Sequence, residues 1–253
     1  MRYVHFLLKT VFSVYGLLLF IGIMLVLFPF VVLVSFLGKV KGGNIIYKIC
    51  QLWADLIFVL WCIRHQNYYE VPHHRTKQYV FVFNHISYMD IPVLMKTIRG
   101  QHFRILGKAE MAKIPVFGFF YKNAVVMVNR SSMQEKARSV AQLKNVVRKN
   151  ISVVIAPEGT FNMTQHPLKP FYDGAFRVAI ETQTPIKPIL FLDTYDRMSY
   201  KSLLSLTPGK SRAIYLQEIS VEGLTIKDVR NLKEKVYQLM EEKLIYYKAS
   251  WIK

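Results

Sequence analysis

Residues 79–90 read Tyr79-Val80-Phe81-Val82-Phe83-Asn84-His85-Ile86-Ser87-Tyr88-Met89-Asp90. The first five are aromatic or β-branched, the composition of a buried strand. Ile91-Pro92-Val93-Leu94-Met95 follows, and apolar residues with a Pro near the first turn suit a helix start. A short buried strand running straight into a helix is the repeating unit of an α/β domain, so this stretch sets the fold class. It also carries the chemistry. His85 and Asp90 stand across the strand-to-helix turn, where they can face one another. The carboxylate can accept from one imidazole nitrogen, fix the tautomer, and leave the other nitrogen as a base. No nucleophilic Ser or Cys is needed if that base deprotonates a hydroxyl on the substrate itself. A partly buried His beside an N-capping Asp90 is the simpler reading of the same residues.

From Gln78 onward, short apolar runs alternate with amphipathic helices. Strands are expected at 103–106, 123–128, 151–156, 185–190 and 213–219. Helices are expected at 133–149, 174–182 and 226–247, the first of them capped by Ser131 or Ser132 with Glu135 within reach. Together these predict a mixed, largely buried sheet flanked by helices, spanning residues 66–253.

Residues 1–65 read differently. Thr10 to Gly38 holds no charged residue, and at roughly 1.5 Å per residue it exceeds the roughly 30 Å hydrocarbon core of a bilayer. The run is too long for a signal peptide and lacks a small-residue cleavage site. Pro29 is expected to break or kink it. Lys39, Lys41 and Gly42-Gly43 then form a basic turn before a second run, Ile45 to Ile63, interrupted by Lys48, Gln51 and Asp55. Basic residues lie both before and after the first run, and one crossing cannot place both sets in the cytoplasm. A kinked or re-entrant helix pair inserted from the cytoplasmic side is therefore expected, with a single crossing as the alternative.

The chain has 253 residues, 52% of them hydrophobic, and a net charge of +18. That length suits one α/β domain with a membrane appendage. The basic surplus fits nucleic acid, anionic headgroups or acidic substrates. No nucleic-acid module is present and the basic residues are scattered, so the apolar segments favour lipid. Cys50 and Cys62 read as small buried hydrophobes with free thiols. His73-His74, beside Pro72, reads as solvated, and no metal-ligand spacing occurs.

Four stretches, in order, resemble the motifs of the glycerolipid acyltransferases of the lysophosphatidic-acid acyltransferase type, over roughly Tyr79 to Leu190. Asn84 to Asp90 resembles the first, Asn-His-(four residues)-Asp. Gly107-Lys108 and Ile114 to Gly118, with Arg130 after the next strand, resemble the second, where a basic residue holds the acceptor's phosphate. Glu158-Gly159-Thr160 resembles the third, commonly Glu-Gly-Thr-Arg, but Phe161 stands where the Arg is usual. Pro185-Ile186-Lys187-Pro188-Ile189 resembles the fourth, an apolar strand lining the acyl or acceptor pocket.

The resemblance implies acyl transfer from acyl-CoA or acyl carrier protein to the hydroxyl of a lysolipid, 1-acyl-glycerol-3-phosphate foremost. His85 would be the base and Asp90 its orienting acid, with Asn84, Lys108, Arg130, Glu158, Gly159 and Thr160 lining the substrate site. Arg177, in Asp173-Gly174-Ala175-Phe176-Arg177 at a helix start, is a further candidate contact. Backbone amides near Gly159 or in the His85 turn would hold the oxyanion. No metal or cofactor is expected beyond the acyl donor, and the domain would sit on the cytoplasmic side of a membrane. Phe161 leaves open a non-phosphate, amino-acid-containing lysolipid as acceptor. A non-catalytic lipid-binding membrane protein is the alternative outside the enzymes.

Overall fold

The computed structural model describes residues 2–129 and 132–252. It opens with two helices, α1 (Arg2–Ser35) and α2 (Gly43–Leu60), joined by a π-helical turn at Gly38–Gly42. The rest alternates: β1 (Ile63–Tyr69), β2 (Val80–Phe83), α3 (Asp90–Thr97), β3 (Phe103–Lys108), α4 (Phe117–Ala124), β4 (Val126–Val128), α5 (Met133–Val147), β5 (Ser152–Ile155), α6 (Gly174–Glu181), β6 (Ile186–Phe191), α7 (Thr194–Arg197), β7 (Gly209–Tyr215) and α8 (Val229–Tyr246). The seven strands form one mixed sheet in the order β1-β7-β6-β2-β5-β3-β4. Strands β6, β2, β5, β3 and β4 run parallel, while β7 is antiparallel to β6 and parallel to β1.

Strand alternation divides the core into two layers. Val80 and Val82 of β2, Val153 and Ile155 of β5, and Ile186 and Leu190 of β6 pack into a cluster with α5, α6 and α8. Phe81, Phe83, Val154, Ile189 and Phe191 point the other way, into a cluster built from α1, α2 and α3. Both faces of the central strands are thus covered, which is why they read as unbroken apolar runs.

The helix pair is part of this architecture. α1 and α2 pack antiparallel: Trp61 Nε1 donates to Gly16 O at 3.2 Å, and the rings of Phe20 and Trp53 meet edge to face at 4.9 Å. The pair is bound to the domain at both ends. The Leu206 amide donates to Ser13 Oγ at 3.0 Å near one end. At the other, buried Arg104 of β3 donates to Lys39 O at 2.9 Å, Val40 O at 3.1 Å and Asn44 Oδ1 at 2.9 Å. The outward face of α1 stays apolar and exposed, with Val26 68% and Leu33 67% accessible. Both segments, Phe6–Ser35 and Gly38–Leu60, are long and apolar enough to cross a membrane.

Several elements depart from the sequence reading. Pro29 lies inside α1 without ending it. Ile63–Tyr69 is a strand that polar Arg64, His65, Gln66 and Asn67 concealed. As an edge strand it pairs only with β7, needs no continuous apolar pattern, and runs across residue 65. Asn123 and Ala124 belong to α4, leaving β4 only Val126–Val128. The late strand ends at Tyr215, and Ile219 makes only an isolated bridge to Ile186. Ser132 caps α5, accepting from the Glu135 amide at 3.2 Å, while Ser131 lies outside the described residues. His73 is not solvated: it is half-buried, its ring 4.7 Å from that of Tyr215, and it hydrogen-bonds Gln101. Burial holds its basicity below the ordinary histidine value. Both cysteines are free thiols, but Cys62 is exposed, at the turn between α2 and β1.

Candidate active site

The parallel strands β2, β5, β3 and β4 all end at one edge of the sheet, and the loops leaving them meet there. Crevices at the carboxyl ends of parallel strands are the usual ligand sites of such sheets. His85 leaves β2, Glu158 to Phe161 leave β5, and Lys108 ends β3. Arg130 follows β4 but lies outside the described residues.

His85 Nδ1 and Asp90 Oδ2 are 2.8 Å apart. The same oxygen accepts from the Ile86 amide at 2.8 Å and the Ser87 amide at 2.9 Å. The side chain of Asp90, the first residue of α3, is wholly buried, whereas that of His85 is 22% accessible. One carboxylate oxygen therefore folds the turn and orients the ring together. Because Nδ1 faces the carboxylate, Nε2 is left for the substrate, and no group among the described residues bonds it.

The backbone of His85 is clamped from the loop after β5. Its amide donates to Glu158 Oε1 at 2.8 Å, and its carbonyl accepts from the Asn162 amide at 2.7 Å. The other Glu158 oxygen, Oε2, accepts from the Lys169 amide at 2.9 Å. Glu158 is 2% accessible, and burial pushes its carboxyl up to about 8, outweighing the two amide donors. It is a strut within the loop, with both oxygens occupied by the backbone. Asn84 is likewise a tie: Oδ1 accepts from the Phe191 amide at 2.8 Å and Nδ2 donates to the Phe191 carbonyl at 3.0 Å. Buried as it is, this side chain locks the end of β2 to β6. Thr160 is exposed and its Oγ1 accepts from Lys169 Nζ at 2.7 Å.

Gly159 holds φ at +74°, a backbone region that glycine adopts without strain, and its amide donates to Ala156 O. The amides of Gly159, Ile86 and Ser87 thus all have partners inside the protein. Lys108 is an exposed surface residue paired with Glu110 at 2.6 Å. Arg177 is exposed on α6. Phe161 lies against the imidazole: its ring centroid is 4.5 Å from that of His85 and 5.0 Å from that of Tyr88. The fourth-motif strand, β6, is buried throughout and serves the core.

Residues 62–192 match the family model described as Acyltransferase. The chain belongs to the acyltransferase family. It is 30% identical over 168 residues to human 1-acyl-sn-glycerol-3-phosphate acyltransferase beta, covering 66% of this chain and 60% of that one. Over 212 residues it is 24% identical to the 1-acyl-sn-glycerol-3-phosphate acyltransferase of Haemophilus influenzae, covering 83% and 85%. This acyltransferase therefore spans only about three fifths of the human relative's length. Among solved structures, it aligns along the whole of both chains with the 1-acyl-sn-glycerophosphate (LPA) acyltransferase PlsC of Thermotoga maritima, with a TM-score of 0.72 and 22% identity. That likeness shows the fold, a mixed sheet flanked by helices behind an N-terminal helix pair.

Sequence reasoning missed Lys169 and Asn162. Both lie in a loop whose local sequence, Met163-Thr164-Gln165-His166-Pro167, carries turn formers but no sign of where the loop docks.

Proposed function

We propose that this chain transfers an acyl group from a thioester, acyl-CoA or acyl carrier protein, to the free hydroxyl of 1-acyl-glycerol-3-phosphate, giving phosphatidic acid. The observation that carries the reading is the oriented imidazole: His85 Nδ1 faces buried Asp90 at 2.8 Å, the His85 side chain is 22% accessible, and no group among the described residues bonds Nε2. Nε2 takes the hydroxyl proton as the oxygen attacks the thioester carbonyl, and Asp90 stabilises the imidazolium. Collapse of the tetrahedral adduct breaks the C–S bond, and the thiolate leaves with the proton returned from Nε2. No acyl-enzyme forms. The amides of Thr160 and Phe161, in the loop whose Phe161 ring lies on the His85 imidazole, are candidate donors for the oxyanion. Names of relatives from two distant organisms support the acceptor class.

Two tethers, one on α1 and one in the turn that follows it, support a membrane mode. Ser13 and the Lys39-Val40 turn are both fixed to the same domain, so a bilayer cannot pass between them. The helix pair embeds sideways, its exposed apolar face in one leaflet and the domain on the cytoplasmic surface. His85→Ala should abolish transfer of radiolabelled acyl groups to lysophosphatidic acid in vesicles while membrane association persists. Undiminished turnover in that variant would rule the mechanism out.

A further inference from the structure

His85 and Lys169 hang from opposite oxygens of one buried carboxylate. The His85 amide bonds Glu158 Oε1 and the Lys169 amide bonds Oε2, at 2.8 Å and 2.9 Å. The spacing between base and Lys169 backbone is therefore set by a single rigid group. From that anchor the Lys169 side chain returns to Thr160, its ammonium 2.7 Å from Oγ1. Thr160 adjoins Phe161, whose ring lies on the His85 imidazole.

This lysine is placed unlike the chain's other paired lysines. Lys96, Lys233 and Lys243 each meet a carboxylate, at Asp55, Asp173 and Glu70. Lys169 sits on a neutral hydroxyl, and the acid beside it is the one that burial keeps largely protonated near neutral pH. An ammonium has three donors, of which the described contacts use one. The Thr160 hydroxyl, accepting from Lys169, keeps its own proton to donate. Half-buried Lys169 and exposed Thr160 together offer a cation and a neighbouring donor in the loop whose Phe161 lies on His85, the donor set that a phosphate monoester takes.

We propose that Lys169, with Thr160, binds the phosphate of the acyl acceptor and supplies positive charge that Phe161 does not. The proposal rests on the reading of His85 as the base for a lysolipid hydroxyl. In 1-acyl-glycerol-3-phosphate only a few bonds separate the free hydroxyl from the phosphate. A cation pinned to the same carboxylate as the base is suited to reading both groups at once. The same charge disfavours an acceptor whose headgroup carries a free amine and no phosphate.

The test uses the full chain in vesicles, with Lys169→Met and Lys169→Arg compared to wild type. The Lys169 amide still reaches Glu158 in both variants, and thermal melting checks that each is folded. Loss of a charge-assisted hydrogen bond predicts that Lys169→Met raises KM for lysophosphatidic acid roughly ten- to hundredfold, with kcat within a few-fold. Lys169→Arg should keep most of the affinity, and transfer to monoacylglycerol, which lacks the phosphate, should be indifferent to either change. An unmoved KM in Lys169→Met, or an equal loss toward both acceptors, overturns the assignment while leaving His85 as the base. A wild-type chain that transfers nothing to lysophosphatidic acid overturns the underlying reading as well.

Discussion

Replacing Asp90 by Asn tests the charge on the orienting acid while nearly preserving its shape. In the native turn one oxygen, Oδ2, accepts from His85, Ile86 and Ser87, all within 2.9 Å. An asparagine carbonyl can occupy that position and keep all three bonds. What it removes is the negative charge facing the imidazolium formed during proton transfer. With charge centres about 4 Å apart and an effective dielectric of about 20, that attraction is roughly 4 kcal/mol. At about 1.4 kcal/mol per decade, kcat should fall by roughly 10²–10³-fold, the lower bound allowing for the residual amide dipole. KM should change little, since Asp90 is wholly buried. The buried Oδ1 has no partner among the described residues, so the new Nδ2 lies unpaired there and costs about 1–3 kcal/mol of stability. The assay is acyl transfer to lysophosphatidic acid in vesicles at several pH values, alongside thermal melting of the same preparations. A folded Asp90→Asn chain within threefold of wild-type kcat would refute the role given to the buried carboxylate. Asp90→Ala is a poorer probe, because it also strands the Ile86 and Ser87 amides.

Glu158 makes the fold itself sensitive to pH. Its carboxyl rises from an ordinary 4.5 to about 8 on folding. Below pH 4.5 the group is protonated in both states; between 4.5 and about 8 only the folded chain keeps the proton. Its contribution to stability is therefore full at low pH, falls as pH rises through that window, and is gone above it, a span on the order of 4 kcal/mol. Glu158→Gln, neutral throughout, should give a visibly flatter melting temperature between pH 5 and 8 in detergent; parallel curves would refute this. Asn84→Ala should destabilise the chain by about 1–3 kcal/mol by stranding the Phe191 amide and carbonyl. Urea unfolding measures that loss, and a change below a few tenths of a kcal/mol would count against the tie.

The buried strands and the His85-Asp90 pair were legible because each depends on near neighbours in the chain. Val80 to Phe83 is apolar on both faces because both faces are covered, and no partner need be known to see it. His85 and Asp90 meet across one turn, so their spacing alone brings them together. Edge strand β1 was hidden for the converse reason, since its polar side chains reflect a position in the sheet.

The roles of the other motif residues depend on partners far along the chain. Asn84 bonds Phe191 and Glu158 bonds His85, pairs that only the strand order places side by side. Read as substrate contacts, both are internal ties, Asn84 between the ends of two strands and Glu158 between two loops. Lys169 had no local signature, because its value lies in a loop that folds back onto Thr160. Local sequence determined the strand-turn-helix unit, its His85-Asp90 pair and the apolar helices. Tertiary structure decided which polar groups are consumed in holding that imidazole still and which stay at the surface beside it. The reason is physical: a buried hydrogen-bonding group must be satisfied, and only the assembled fold determines by whom.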